Sequence, residues 1–321
     1  MRLETASYAS STPRHLNRFG SNKLEAKEPQ YEAHVVMQAS AFVFPSSMSA
    51  DQAAATLATR VGFVTGAGAG IGRGIALALA RAGTAALMLV DLPAAKANVD
   101  ETATQLAALG CTATVTLADV SDTEAISAAM VQTAKEHGRV DIVVACAAWS
   151  DRVPLVEQDI EKVRRVLDVC QVGVLNTVKA GAIQMRAQPT VAGRESRGKI
   201  IIVSSIMGNL VLSNSASAYS MSKAAITHLG ACLASELAPD RINVNVVCPG
   251  WIDTPGERKF MTEEQIAERA PHMPWGRLGT ADDVGKTVVF LCSSAADYIS
   301  GSALNVDGGY SVSVRLGLGT C

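Results

Sequence analysis

The sequence lacks the signatures of several common protein chemistries. Its seven cysteines, at 111, 146, 170, 232, 248, 292 and 321, are odd in number and widely spaced, with no Cys-x-x-Cys. That excludes a disulfide framework and a cysteine zinc site, and it fits thiols kept reduced inside a cell. No His-Glu-x-x-His occurs among the five histidines, so no metal is expected. No apolar run reaches the ~18 residues of a membrane span. The formal net charge is −2 with a pI ≈ 6.2. Nothing in that balance favours nucleic acid or an anionic membrane as a partner. No Gly-x-Ser-x-Gly surrounds Ser205, which argues against a serine hydrolase.

Apolar material is plentiful. Of 321 residues 48% are hydrophobic, and the mean hydropathy is +0.21. That is ample for one large core. Residues 1–55 differ from the rest, being rich in Ser, Ala, Asn and charge without sustained periodicity, and they are expected to form a disordered extension. Arg2, Arg14, Arg18 and Lys23 lend this start a slight likeness to a mitochondrial presequence. Glu4 and the missing amphipathic pattern argue against it, and a cytoplasmic location is expected. Met48 offers an alternative start.

From residue 60 onward the pattern is regular. Val61–Val64 reads as a strand, Thr65–Gly72 as a glycine turn, and the following segment as a helix that stops at Gly83. A strand, glycine turn and helix can cradle a phosphate. The glycines let the backbone approach it, and the helix N-terminus offers free N–H groups and partial positive charge. The spacing here is Gly66-x-x-x-Gly70-x-Gly72, not the common G-x-G-x-x-G. A second strand ends at Asp91, placed to accept hydrogen bonds from a ribose and to repel a 2′-phosphate. Residues 93–109 read as a helix. A third strand, 112–117, leads to Asp119-Val120. Ser121-x-x-Glu124 reads as the capping box of the next helix. A fourth strand, 141–145, leads to Cys146–Trp149, and one long helix is expected over 156–185. A sixth strand, 241–248, turns out at Pro249-Gly250. Residues 251–274 read as a mobile cap with one short helix opened by Thr262-x-x-Gln265. A helix at 282–293 and a strand at 303–306 complete the pattern.

The fifth strand, Ile200–Val203, ends at Ser204 and Ser205, and a helical segment follows. Tyr219 and Lys223 are four apart on it and share one face. Only this tyrosine of the five has a lysine four residues on. A free phenol, with a pKa of roughly 10, is a poor base at neutral pH. A neighbouring ammonium favours the phenolate, so Tyr219 can exchange a proton with an alcohol or ketone oxygen that Ser205 holds. Alternating strands and helices imply a doubly wound parallel sheet, an α/β fold of Rossmann type in a single domain, 56–321. Ligands in such sheets bind beyond the C-terminal strand ends, where all these residues converge.

As an ordered set, Thr65-Gly66-x-x-x-Gly70-Ile71-Gly72, Asp119-Val120, Ser205 with Tyr219-x-x-x-Lys223, Pro249-Gly250-x-Ile252-x-Thr254 and Asn305–Gly309 resemble the short-chain dehydrogenase/reductase family. The resemblance spans about residues 58–310. It implies that Tyr219 is the acid/base, that Ser205 orients the substrate oxygen, and that Lys223 lowers the Tyr219 pKa and binds the nicotinamide ribose. It further implies that Gly66, Gly70, Ile71, Gly72 and Asp91 bind the cofactor, that Asp119 and Val120 lie at its adenine, and that Pro249, Ile252 and Thr254 hold the carboxamide end. The expected function is NAD(H)-dependent interconversion of a secondary alcohol and a ketone by a homotetramer or homodimer. NADP is disfavoured by Asp91 and by Ala69, where phosphate-ester binders of the family often carry Arg or Lys. Two departures stand out. Ala145-Cys146-Ala147-Ala148 replaces the family's Asn-Asn-Ala-Gly, and Cys170 takes the place of an Asn whose helix distortion holds a proton-relay water. The alternative is therefore a catalytically weak NAD-binding protein acting through interactions. Trp149, Met207, Leu210, Leu212, Trp251, Phe260 and Met261 are candidates for an apolar substrate pocket, with Arg258, Lys259 and Arg269 as candidate partners of an anionic group.

Overall fold

The computed structural model describes residues 57–315 except Asn214. The expected extension over 1–55 and the alternative start at Met48 lie outside these residues. The elements run β1 (Val61–Thr65), α1 (Gly70–Arg81), β2 (Ala86–Asp91), α2 (Lys96–Ala108), β3 (Thr112–Leu117), α3 (Thr123–His137), β4 (Ile142–Ala145), α4 (Ile160–Leu167), α5 (Gly173–Ala187), β5 (Gly198–Val203), α6 (Ser217–Leu237), β6 (Ile242–Pro249), α7 (Glu263–Arg269), α8 (Ala281–Cys292), β7 (Ala303–Val306) and α9 (Tyr310–Arg315). The seven strands form one parallel sheet in the order β3-β2-β1-β4-β5-β6-β7. The expected doubly wound α/β fold is thus the one observed.

The central strands read as continuous apolar runs because both faces are covered. Phe63, Met88, Val143, Ile200 and Val246 point into one layer with Ile126 and Met130 of α3, Val178 of α5 and Ile226 of α6. Val64, Leu87, Val144, Ile201 and Val247 point into the other with Ile75 and Leu79 of α1 and Val284 and Leu291 of α8. The edge strands β3 and β7 contain no fully buried residue. The order reverses at β1 and β4, which pair Gly62 with Ile142 and Val64 with Val144. Chains leaving these two strands diverge to opposite faces, and a crevice opens between them.

Two local expectations are corrected. The cap of α3 is Asp122, whose carboxylate accepts from the N–H groups of Glu124 and Ala125. Ser121 is engaged elsewhere, since its hydroxyl donates to Asp119 Oδ1 (2.7 Å). The long helix begins at Ile160, after Asp159 as its cap, rather than at 156. It is also not a uniform α-helix, because Asp168–Val172 form a π-helical turn between α4 and α5. From Ile160 to Ala187 this helix is long and apolar enough to cross a membrane, but half of its most apolar stretch is buried inside the protein.

Candidate active site

A cleft of ≈ 890 Å³ runs along the C-terminal edge of the sheet. One end is the turn between β1 and α1. Gly66 and Ala67 N–H both donate to Val90 O, which ties the turn to β2. Gly66 sits at φ 68, and a Cβ on Gly72 would come within 2.0 Å of Gly66 O. Only glycine fits at both places. Helix α1 has no side-chain cap and no acid in its first turn. Its N-terminal amides and positive dipole end are left for an anion from outside the chain. Asp91 stands beside this turn, accepting from Gly68 N–H (2.7 Å) and Leu92 N–H (2.8 Å). Arg73, the nearby cation, donates to Gly68 O and Asn98 O and pairs with Glu101 (3.0 Å).

The middle of the cleft is the switch point. Thr65 Oγ1 accepts from Cys146 N–H (3.1 Å) and Ala147 N–H (3.2 Å). A threonine hydroxyl at the end of β1 thus fixes the chain leaving β4, where the family's asparagine is missing.

At the far end β5 delivers Ser205 and α6 delivers Tyr219 and Lys223. Ser204 Oγ donates to Lys223 O (2.9 Å) and shares a hydrogen bond with Thr227 Oγ1 (2.7 Å), which pins α6 against the strand end. The Lys223 ammonium, 1% exposed, donates to Val203 O (2.9 Å). It lies 5.4 Å from the centre of the Tyr219 ring. Ser205 Oγ accepts from Met207 N–H (3.2 Å), which leaves its hydroxyl proton for the Tyr219 oxygen or for a substrate oxygen placed beside it. Burial pushes the Tyr219 phenol above its ordinary value, against the pull of Lys223 and of a hydrogen bond from Ser205. The expected lowering by Lys223 is therefore present but outweighed.

The expected site residues Gly66, Gly70, Ile71, Gly72, Asp91, Ser205, Tyr219, Lys223, Pro249, Ile252 and Thr254 all line this cleft. Asp119 and Val120 do not line it. Asp119 binds Ser121 and the Arg165 guanidinium (2.6 Å), and Val120 packs on the backbone of Gly173. Of the apolar candidates, Leu210 alone lies off the cleft wall. Arg258 is engaged by Asp253 and Glu263. Lys259 and Arg269 line the cleft. Cys170 is fully buried on the π turn, and its sulfur both accepts from Trp149 N–H (3.4 Å) and donates to Trp149 O (3.2 Å). The same turn swings Gln171 to within 3.5 Å of Ser222 Oγ.

One pair escaped the sequence reading. Arg152 binds both oxygens of Glu257 (3.0 and 2.7 Å), and Glu257 Oε1 also accepts from the Trp251 indole (3.0 Å). The Arg152 guanidinium lies 4.1 Å from the centre of the Phe260 ring. Residues 105 positions apart carry no local signal of such a contact. Among the described residues no cluster of His, Cys, Asp and Glu is placed to hold a metal.

A family model described as Enoyl-(Acyl carrier protein) reductase matches residues 66–311. The chain belongs to the short-chain dehydrogenase/reductase family. Cis-4-hydroxycyclohexanecarboxylate dehydrogenase of Sinomonas cyclohexanicum is 36% identical over 254 residues, 79% of this chain and 97% of that protein. Among solved structures, a putative NAD(P) dependent gluconate 5-dehydrogenase from Beutenbergia cavernae with bound NADP is 32% identical (TM-score 0.71, 80% of this chain, 98% of that one). The 3-oxoacyl-[acyl-carrier protein] reductase from Brucella melitensis in complex with NAD is 29% identical (TM-score 0.71, 79% and 97%). Short-chain dehydrogenase/reductases use nicotinamide cofactors, and this chain is an oxidoreductase of that kind.

Proposed function

We propose that the protein interconverts a secondary alcohol and a ketone with NAD(H), Tyr219 serving as acid/base. One observation carries the reading. An uncapped helix N-terminus beside Asp91 and the Ser205, Tyr219 and Lys223 group open into the same cleft. The glycine turn suits a pyrophosphate, since Gly66 and Gly70 take positive φ, Gly72 lets the helix pack tightly on the turn, and the N-terminal N–H groups of α1 have no side-chain cap. Gly66, Gly70, Ile71 and Gly72 would hold the phosphates, Asp91 the adenosine ribose, Lys223 the nicotinamide ribose, and Pro249, Ile252 and Thr254 the carboxamide end. Asp119 and Val120 would act behind the wall, steadying the chain through Arg165 and Gly173.

The bound nicotinamide supplies or accepts the hydride. The chain's residues do the rest. Ser205 donates its hydroxyl proton in a hydrogen bond to the substrate oxygen and fixes it. Tyr219 gives that oxygen a proton in reduction and takes one in oxidation. The Lys223 ammonium keeps the phenolate accessible against the burial that disfavours it. Asp91 presents a carboxylate where a 2′-phosphate would sit, and the Arg73 charge is already matched by Glu101. Both support NAD over NADP. Val172, Leu175, Ile183 and Met221 leave an exposed apolar face on the helices carrying Cys170 and Tyr219. That supports a homodimer or homotetramer. Cysteine usage supports a cytoplasmic location.

The test is nicotinamide reduction with a panel of alicyclic and open-chain secondary alcohols. Turnover by the wild type and its collapse in Tyr219→Phe are expected. If NAD binds and no alcohol or ketone is turned over, the protein is an NAD-binding module instead.

A further inference from the structure

The substrate end of the cleft carries unmatched positive charge. Arg152 is neutralised there by Glu257, whose two oxygens already receive three donors. Arg269 and Lys259 also line the cleft, and neither has a carboxylate partner among the described residues. Arg269 is the last residue of α7, a helix anchored by the Thr262–Gln265 capping box. Its guanidinium is 5.4 Å from the centre of the Trp251 ring. A guanidinium resting on an indole keeps its N–H fork free for a planar, bidentate acceptor. Trp149, Met207, Leu212 and Phe260 line the same cleft and offer an apolar surface beside the polar Ser213 and Ser215 and the Arg152–Glu257 pair.

From this distribution we infer that the substrate is a hydroxy acid or keto acid. Its apolar skeleton separates the reacting carbon from a carboxylate that Arg269 binds, while Lys259 adds to the attracting field. The inference rests on the alcohol oxidoreductase reading of the cleft and names its substrate class. A neutral alcohol of the same skeleton would fill the apolar wall and leave Arg269 without a partner. A cationic one would meet two like charges.

The experiment separates binding from turnover. Cyclohexanecarboxylate and cyclohexanecarboxamide have the same shape and differ in charge. Their binding to the cofactor-free protein is followed by tryptophan fluorescence, with Trp251 under Arg269 as the reporter, and checked by calorimetry. The acid should bind roughly ten- to hundredfold more tightly than the amide. Arg269→Gln should abolish that preference, Arg269→Lys should keep part of it, and Tyr219→Phe should leave it intact. Raising the salt should shrink it. Equal binding of acid and amide by the wild type, or a preference that survives in Arg269→Gln, overturns the inference. Oxidation of cyclohexanol is assayed in parallel. Turnover without the charge preference rejects the carboxylate site alone. The preference without turnover of any alcohol rejects the oxidoreductase reading alone.

Discussion

Replacing Cys170 tests how the π turn serves the site. The thiol is fully buried and makes two hydrogen bonds to the backbone of Trp149, one as acceptor and one as donor. Cys170→Ala removes both and leaves a small void. A thiol bonds weakly, so each lost bond is worth about 0.5 kcal/mol. The lost packing of one buried heavy atom adds about 1 kcal/mol. The total, about 2 kcal/mol, should lower Tm by roughly 4–8 °C for a body of this size. Trp149 lines the substrate end, so KM for the alcohol should rise while NAD affinity stays put. Cys170→Asn is the complementary change. A carboxamide can accept from Trp149 N–H and donate to Trp149 O with stronger bonds. It also forces two more heavy atoms into a packed site, at a cost of about 1–3 kcal/mol. If the missing carboxamide slows proton resupply to Tyr219, Cys170→Asn should raise kcat and reduce the solvent isotope effect, with NAD affinity unchanged. Calorimetry and steady-state kinetics in light and heavy water read all of these. A folded Cys170→Asn with unchanged or lower kcat refutes the relay argument. An unchanged Tm and KM in Cys170→Ala refutes the role given to the thiol.

Tyr219→Phe removes one hydroxyl and little volume. Its kcat should fall by roughly 10²–10⁴-fold while NAD binding and Tm persist, and near-normal turnover would contradict the acid/base assignment. In the cofactor-free protein, burial holds the Tyr219 phenol protonated to beyond its ordinary value of 10.0. The ultraviolet titration of wild type minus Tyr219→Phe should therefore show a midpoint above that value, and a midpoint near neutrality would show that Lys223 prevails over burial. Wild-type kcat/KM should favour NAD over NADP by roughly 10²-fold, about 3 kcal/mol of charge repulsion at Asp91. Asp91→Asn should narrow that gap by about tenfold, partly at the expense of NAD, because one of the two backbone N–H groups now faces an amide nitrogen. Equal use of both cofactors by the wild type would remove Asp91 from the argument.

Much of this protein was legible in the sequence because the governing rules are local. Short β-branched runs, apolar on both faces, placed the strands. The glycine turn, Asp91 and the Tyr219–Lys223 spacing fixed the chemistry to one sheet edge, since a parallel sheet with helical crossovers sends every strand end the same way. The Thr262–Gln265 box placed α7 correctly. At the start of α3 the capping-box pattern pointed to Ser121, one residue before the actual cap. Only the fold engaged Ser121 with Asp119 and left the carboxylate of Asp122 for the helix. The π turn at Asp168–Val172 was likewise not placed by periodicity, and only the family resemblance pointed to a helix distortion at Cys170. That turn decides which way Cys170 and Gln171 point. Long-range pairings were beyond sequence reasoning altogether. Arg152 meets Glu257, Thr65 holds the chain after β4, and Asp119 binds Arg165 and Ser121. Residue type and spacing determined the reaction class that this chain suits. Which charges remain unmatched around the substrate was decided only when the tertiary fold brought distant residues together, because a charge is neutralised by its neighbours in space.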